Sequence, residues 1–121
     1  MLPVLPSDEC QAMVMWSEIR LRDAECEALS IHGRVDAVFD SIYANLWSRA
    51  RISGYPAPEE NPNISMLLLG ANLAGLSKGQ TSMVMDLMYF VCKNRHQPKL
   101  NVGDFSSALR IAQELAHLSW A

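Results

Sequence analysis

Threonine occurs once in the 121 residues, at Thr81, and no CxxC pair, HxxxH pattern or glycine-rich nucleotide fingerprint appears anywhere. Each absence excludes something. Scarce threonine beside frequent Leu, Ala and Met removes the β-branched surface on which strands are built and leaves a helical composition. The three cysteines, Cys10, Cys26 and Cys92, are odd in number and scattered, which fits reduced thiols rather than a disulfide framework. If residues 8–31 form one helix, Cys10 and Cys26 lie about 24 Å apart along its axis at ~1.5 Å per residue, too far to bridge within one chain. The opening MLPVLP lacks the basic region of a secretory signal. The most apolar run, Met83–Cys92, contains Asp86 and is too short to span a bilayer. A cytoplasmic protein is expected.

Charge is also sparse. A net charge of −3, with 19% of residues charged, gives the chain no overall electrostatic footprint for nucleic acid or anionic membrane. Residues 1–32 hold six acids against two bases, and residues 64–121 hold five bases against three acids. Half of the residues are apolar, which is globular composition, and the length suits one core. One domain over 1–121 is therefore expected.

What the chain does have is helical periodicity. Ser7 as N-cap, with Asp8 and Glu9 behind it, predicts a helix from Asp8 to about Ile31. On a helical wheel its apolar residues split into two opposite stripes. Cys10, Met13, Val14, Leu21, Ala24, Ala28 and Ile31 form one; Ala12, Met15, Trp16, Ile19, Cys26 and Leu29 form the other. Two stripes need two surfaces to cover them, either the domain's own core on both sides or a core and a second subunit. This makes Met15, Trp16, Ile19, Cys26 and Leu29 the candidate dimer or partner interface. After Gly33, a bend or break, Val35, Val38, Phe39, Ile42, Tyr43, Leu46, Trp47 and Ala50 predict a second helix, closed by Gly54. Residues 53–63, with three prolines, read as a loop. Asn61-Pro62 is the expected start of a third helix, through about Ala74. A fourth runs from Lys78 to about Arg95, and Asp104 caps a fifth whose face is Phe105, Ala108, Leu109, Ala112, Leu115, Ala116 and Leu118. The fold class is all-α, about five helices, expected as a homodimer.

The stretch Leu67 to Val84, LLLGANLAGLSKGQTSMV, admits three readings. Gly70 and Gly75 have Walker spacing, but Leu76-Ser77 follows where a lysine must meet the phosphates, so a phosphate loop is rejected. Ala71, then Gly75-Leu76-Ser77, Thr81 and Val84, is similar to the core of the helix-turn-helix pattern. That resemblance implies DNA contacts from Ser77, Lys78, Gln80, Thr81 and Ser82 at the start of the second helix. The third reading is a buried core helix, because nine of the ten residues 83–92 are apolar. Lys78 is also the only base between Arg51 and Lys93, so phosphate anchoring would be thin. The third reading is favoured.

His32, His96 and His117 are far apart, and Cys92 with His96 is an i, i+4 pair on one helix that could place two ligands together. It reads as a structural thiol and a histidine that joins Lys93, Arg95 and Lys99 at a helix C-terminus. No metal, cofactor or catalytic set is expected. Trp120, close to the last residue, should be tucked against the core or held by a partner. The expected function is that of a small non-enzymatic regulator acting by protein–protein contact, an inhibitor or anti-activator of a transcription or signalling factor. A DNA-binding regulator using residues 67–88 is the alternative, and an enzyme whose site forms no visible motif is the second.

Overall fold

Residues 41–50 are buried without interruption, which a helix lying on the outside of a domain cannot achieve. They belong to the second of five helices in the computed structural model, which describes residues 8–93 and 102–120. The helices are α1 (Asp8–Glu25), α2 (Ile31–Ile52), α3 (Ile64–Ala74), α4 (Lys78–Lys93) and α5 (Val102–His117), and no strand occurs among the described residues. All four other helices pack on α2, so the molecule is a single compact all-helical domain built around it. Ser7, Arg95, His96, Pro98 and Lys99 lie outside the described residues.

The central position of α2 corrects one expectation. The apolar stretch of α4 is peripheral: of its described residues only Val84 and Leu87 are buried, and Tyr89 is 58% exposed. Burial requires neighbours on every side, and composition does not supply them. The polar residues of α2 disguised its role. Ser41, Asn45, Ser48 and Arg49 are buried because each finds an internal partner, the condition under which a core tolerates polar groups.

α1 lies along α2 through small residues. The Ser17 hydroxyl donates to the Ser41 carbonyl at 2.6 Å, and the Ser41 hydroxyl donates back to the Ser17 carbonyl at 2.8 Å. Arg20 ties the same pair of helices together through Asp40, at 2.9 Å. α1 ends at Glu25, short of the expected Ile31. Nothing local stops it, for residues 26–29 hold neither Gly nor Pro. Tertiary contacts do. Arg34 donates from Nε to the Ala24 carbonyl at 2.8 Å, and Ser30 caps α2 by accepting the Gly33 N–H at 3.1 Å. Gly33 therefore sits inside the first turn of α2 and breaks nothing.

The proline-bearing loop is moored by Tyr43, which is 6% exposed. Its hydroxyl donates to Asn61 Oδ1 at 2.6 Å and accepts the Asn63 N–H at 2.7 Å. With Asn61 so engaged, the cap of α3 is Asn63, whose Oδ1 accepts the Met66 N–H at 3.1 Å, two residues beyond the expected position. Burial raises the Tyr43 pKa above its ordinary 10.0, against the lowering effect of the Asn63 N–H. The folded state thus holds the phenolic proton more tightly than the unfolded chain. Tyr43 stabilises the fold fully below pH ~10, and that contribution is lost as pH rises from there through the raised value. The urea midpoint is expected to fall above pH ~10 in the wild type and to be flatter in Tyr43→Phe. The variant should start about 1–2 kcal/mol less stable because Asn63 N–H and Asn61 lose their partner. An identical alkaline slope in both proteins would refute this role for Tyr43.

α3 crosses α2 with its backbone nearly in contact. A Cβ at Gly70 would overlap the Leu46 carbonyl oxygen and lie 2.6 Å from its carbon. α5 faces inward through Phe105, Ala108, Ile111, Ala112 and Leu115, whereas Ala116 and Leu118, expected on that face, are exposed. It begins at Val102, so Asp104 lies in its first turn rather than at the cap. Trp120 is held within the chain. The Arg49 guanidinium lies 4.2 Å from its ring centroid, donates to the carbonyls of Leu115, Leu118 and Ser119, and donates from Nε to Asn45 Oδ1.

Candidate protein-binding surfaces

Two helices present apolar faces to solvent. On α1, Cys10, Ser17 and Ala24 mark the buried face, and the opposite side carries Ala12, Met15, Trp16 and Ile19 at i, i+3, i+4 and i+7. Met15 is 61% exposed, Trp16 45% and Ile19 43%, so the second stripe read from the sequence faces outward. Arg20 covers part of one flank, 5.4 Å from the Trp16 ring, while its guanidinium holds Asp23 and Asp40. Cys26 and Leu29 do not share this stripe. Both are exposed, but they lie in the turn after α1, where the chain has left the helical path that would align them with Ile19.

The second face lies on α3, where sequence reasoning placed only the first half of a helix-turn-helix. This helix buries Met66, Leu67, Gly70 and Ala71 against α2 and turns Ile64, Leu68 and Leu73 outward at 51%, 44% and 47% exposure. Its 11 residues include no charged side chain. A surface helix ordinarily has a charged outer side, and a helix apolar all round is ordinarily buried. α3 is covered on one side only. The signal was present in the sequence as an uncharged segment, but which residues would be left outside depended on where Gly70 meets Leu46.

The turn between α3 and α4 has the local form expected of it. Gly75 closes α3 at φ 77°, with Gly75 N–H donating to Asn72 and Leu76 N–H to Ala71. Ser77 Oγ accepts the Gln80 N–H at 3.0 Å while Gln80 Oε1 accepts the Ser77 N–H at 2.9 Å, a reciprocal cap. The two helices pack on other partners, however: α3 chiefly on α2, and α4 on α2 and α5. In a helix-turn-helix the pair packs on each other to fix the recognition helix. Of the five candidate DNA contacts, Ser77, Lys78 and Ser82 are exposed, while Gln80 and Thr81 are half-buried. Gln80 is engaged in the cap and donates from Nε2 to Glu114 at 3.3 Å. Beside Ser82, a hollow of about 320 Å³ is lined by Asp86 and Asp104 among Gly79, Met83, Leu87 and Ala108. One lysine thus stands with three acids at the tip, an arrangement that repels phosphates.

A second hollow, about 330 Å³, lies between His32, Val35 and Asp36 of α2 and Phe90 and Val91 of α4. No cluster of three or more His, Cys, Asp or Glu suited to a metal ion forms among the described residues. No described helix is long and apolar enough to cross a membrane. No protein-family profile, curated protein or solved structure matches the chain.

Proposed function

We propose that the protein is a small non-enzymatic regulator that works by binding another protein through an exposed apolar helix face. The observation that carries this reading is α3, an uncharged helix with Ile64, Leu68 and Leu73 outside. Ile64 and Leu68 lie together on one flank of α3 and Leu73 lies on the other. Removing these apolar side chains from water favours association, and helix-on-helix docking is the mode that an uncharged surface helix serves. A transcription or signalling factor whose own helical surface can be occupied in this way is the proposed target, which would make the protein an inhibitor or anti-activator. DNA binding is the second reading, favoured by the exposure of Ser77, Lys78 and Ser82 at a helix start and opposed by the surrounding acids.

A tagged pull-down run with and without nuclease tests both. A defined protein partner is expected to survive nuclease and high salt, and to be lost on Leu68→Lys with Leu73→Lys while Lys78→Ala with Gln80→Ala keeps it. The opposite pattern, discrete DNA lost with nuclease and with the Lys78 and Gln80 changes, would replace this reading by the DNA-binding one.

A further inference from the structure

The stripe on α1 is self-complementary when it is run against itself. Five exposed residues follow one line down the outer side of the helix: Asp8, Ala12, Met15, Ile19 and Arg22, separated by four, three, four and three positions. That alternation keeps side chains on one seam between two packed helices. The ends carry opposite charges, an acid at the helix N-terminus and a base at its C-terminus. Met15 lies midway between Asp8 and Arg22, seven residues or about 10.5 Å from each. It also lies within half a residue of the midpoint between Ala12 and Ile19.

We infer that α1 pairs antiparallel with α1 of a second copy of this chain, about a two-fold axis at Met15. In this register each Asp8 meets Arg22 of the second copy, so two ion pairs form, one at each end. Each small Ala12 faces the larger Ile19 of the second copy, and the two Met15 side chains meet at the axis. Gln11 and Glu18, both exposed along one flank, also come opposite each other, an amide donor to a carboxylate. A parallel pairing would instead set Asp8 against Asp8 and Arg22 against Arg22, like charges facing each other at both ends. An unrelated partner would have no reason to match a pattern symmetric about Met15.

The area decides the strength. Taking ~200 Å² per large side chain, Met15, Trp16 and Ile19 offer about 300 Å² of apolar surface per copy. This is below the ~800 Å² per partner of a standard interface, so the dimer belongs to the reversible class that forms with rising concentration. The pairing uses α1 and leaves the outer face of α3 free, so it stands or falls independently of the proposed target.

Charge reversal in the full chain tests the register. Asp8→Lys sets a lysine against Arg22 of the second copy, and Arg22→Glu sets a glutamate against its Asp8, so each variant alone repels itself at both ends. By sedimentation equilibrium each is expected to dimerise roughly tenfold or more weakly than wild type at low salt. Mixed in equal amounts, the two variants restore opposite charges at both ends. The introduced lysine then meets the introduced glutamate, and the remaining Arg22 meets the remaining Asp8. Native mass spectrometry should show this heterodimer well above either homodimer. Adding 1 M salt should reduce the preference. Met15→Lys is expected to be monomeric, with a helical circular-dichroism spectrum like that of wild type. A wild type that stays monomeric at millimolar concentration would overturn the inference. So would a dimer indifferent to Met15→Lys, or a mixture of the two charge variants with no excess of heterodimer.

Discussion

Gly70→Ala is expected to destabilise the protein by about 3 kcal/mol, while Gly79→Ala leaves stability unchanged or raises it slightly. The difference lies in what each new methyl group meets. At Gly70 it lands on the Leu46 carbonyl, a backbone group in the middle of α2 that cannot rotate aside. α3 must then lift away, separating Met66, Leu67 and Ala71 from the surface that buries them. At Gly79, in the first turn of α4, the nearest atom is Ser77 Oγ at 3.9 Å, an ordinary contact, and alanine is the better helix former. For a domain of this length, with stability on the order of 6–18 kcal/mol, the first change removes a large fraction and should lower Tm by about 10 °C or more. Thermal and urea unfolding of the two variants side by side check this. Equal midpoints would mean that α3 does not approach α2 as closely as the structure shows.

Arg49→Met is expected to be the second costly change, at about 3 kcal/mol, and to free the C-terminal tail. Arg49 is 8% exposed, and burial lowers its pKa, the sign of a cation stripped of water. No ion pair compensates it among the described residues. Its compensation comes from carbonyls at the end of α5, where the helix dipole and the unpaired C=O groups of the last turn both favour a cation. Methionine fills the volume but leaves the carbonyls of Leu115, Leu118 and Ser119 and the Asn45 amide oxygen without that donor. Trp120 also loses the guanidinium that holds its ring. Its fluorescence, isolated by difference against Trp120→Phe, should shift to the red and become quenchable by iodide. Arg49→Lys should recover only part of the loss, because a point charge cannot fork across three carbonyls. Unchanged stability and an unchanged Trp120 spectrum in Arg49→Met would refute the latch.

How much of this was legible beforehand differs from element to element. The left-handed closure at Gly75 and the Ser77–Gln80 cap were readable because each is decided within about six residues. So was the stripe Ala12–Met15–Trp16–Ile19 opposite Cys10 and Ala24, because helical spacing alone sets it there; that it faces outward was decided by the packing. The end of α1 was not readable. Cys26, Glu27, Ala28 and Leu29 are acceptable in a helix, and the break comes from Arg34 capturing the Ala24 carbonyl ten residues away. Sequence reasoning also ranked α4 as the core and overlooked the outer face of α3. Hydrophobicity along a helix tells how much surface seeks cover, and only the packing tells which part of it is covered.

From the sequence alone, then, came the all-helical class, the number of helices and the local signals that close or open them, since these follow from propensity, period and short-range hydrogen bonds. The tertiary structure decided that α2 is the centre, that Gly70 is the point where α3 touches it, and that Arg49 serves the end of α5. Each of those joins residues far apart in the chain: Gly70 lies 24 positions from Leu46, and Arg49 bonds carbonyls 66 to 70 positions away. A periodic pattern identifies the face on which such a residue lies. The partner that meets it is set by how the helices cross.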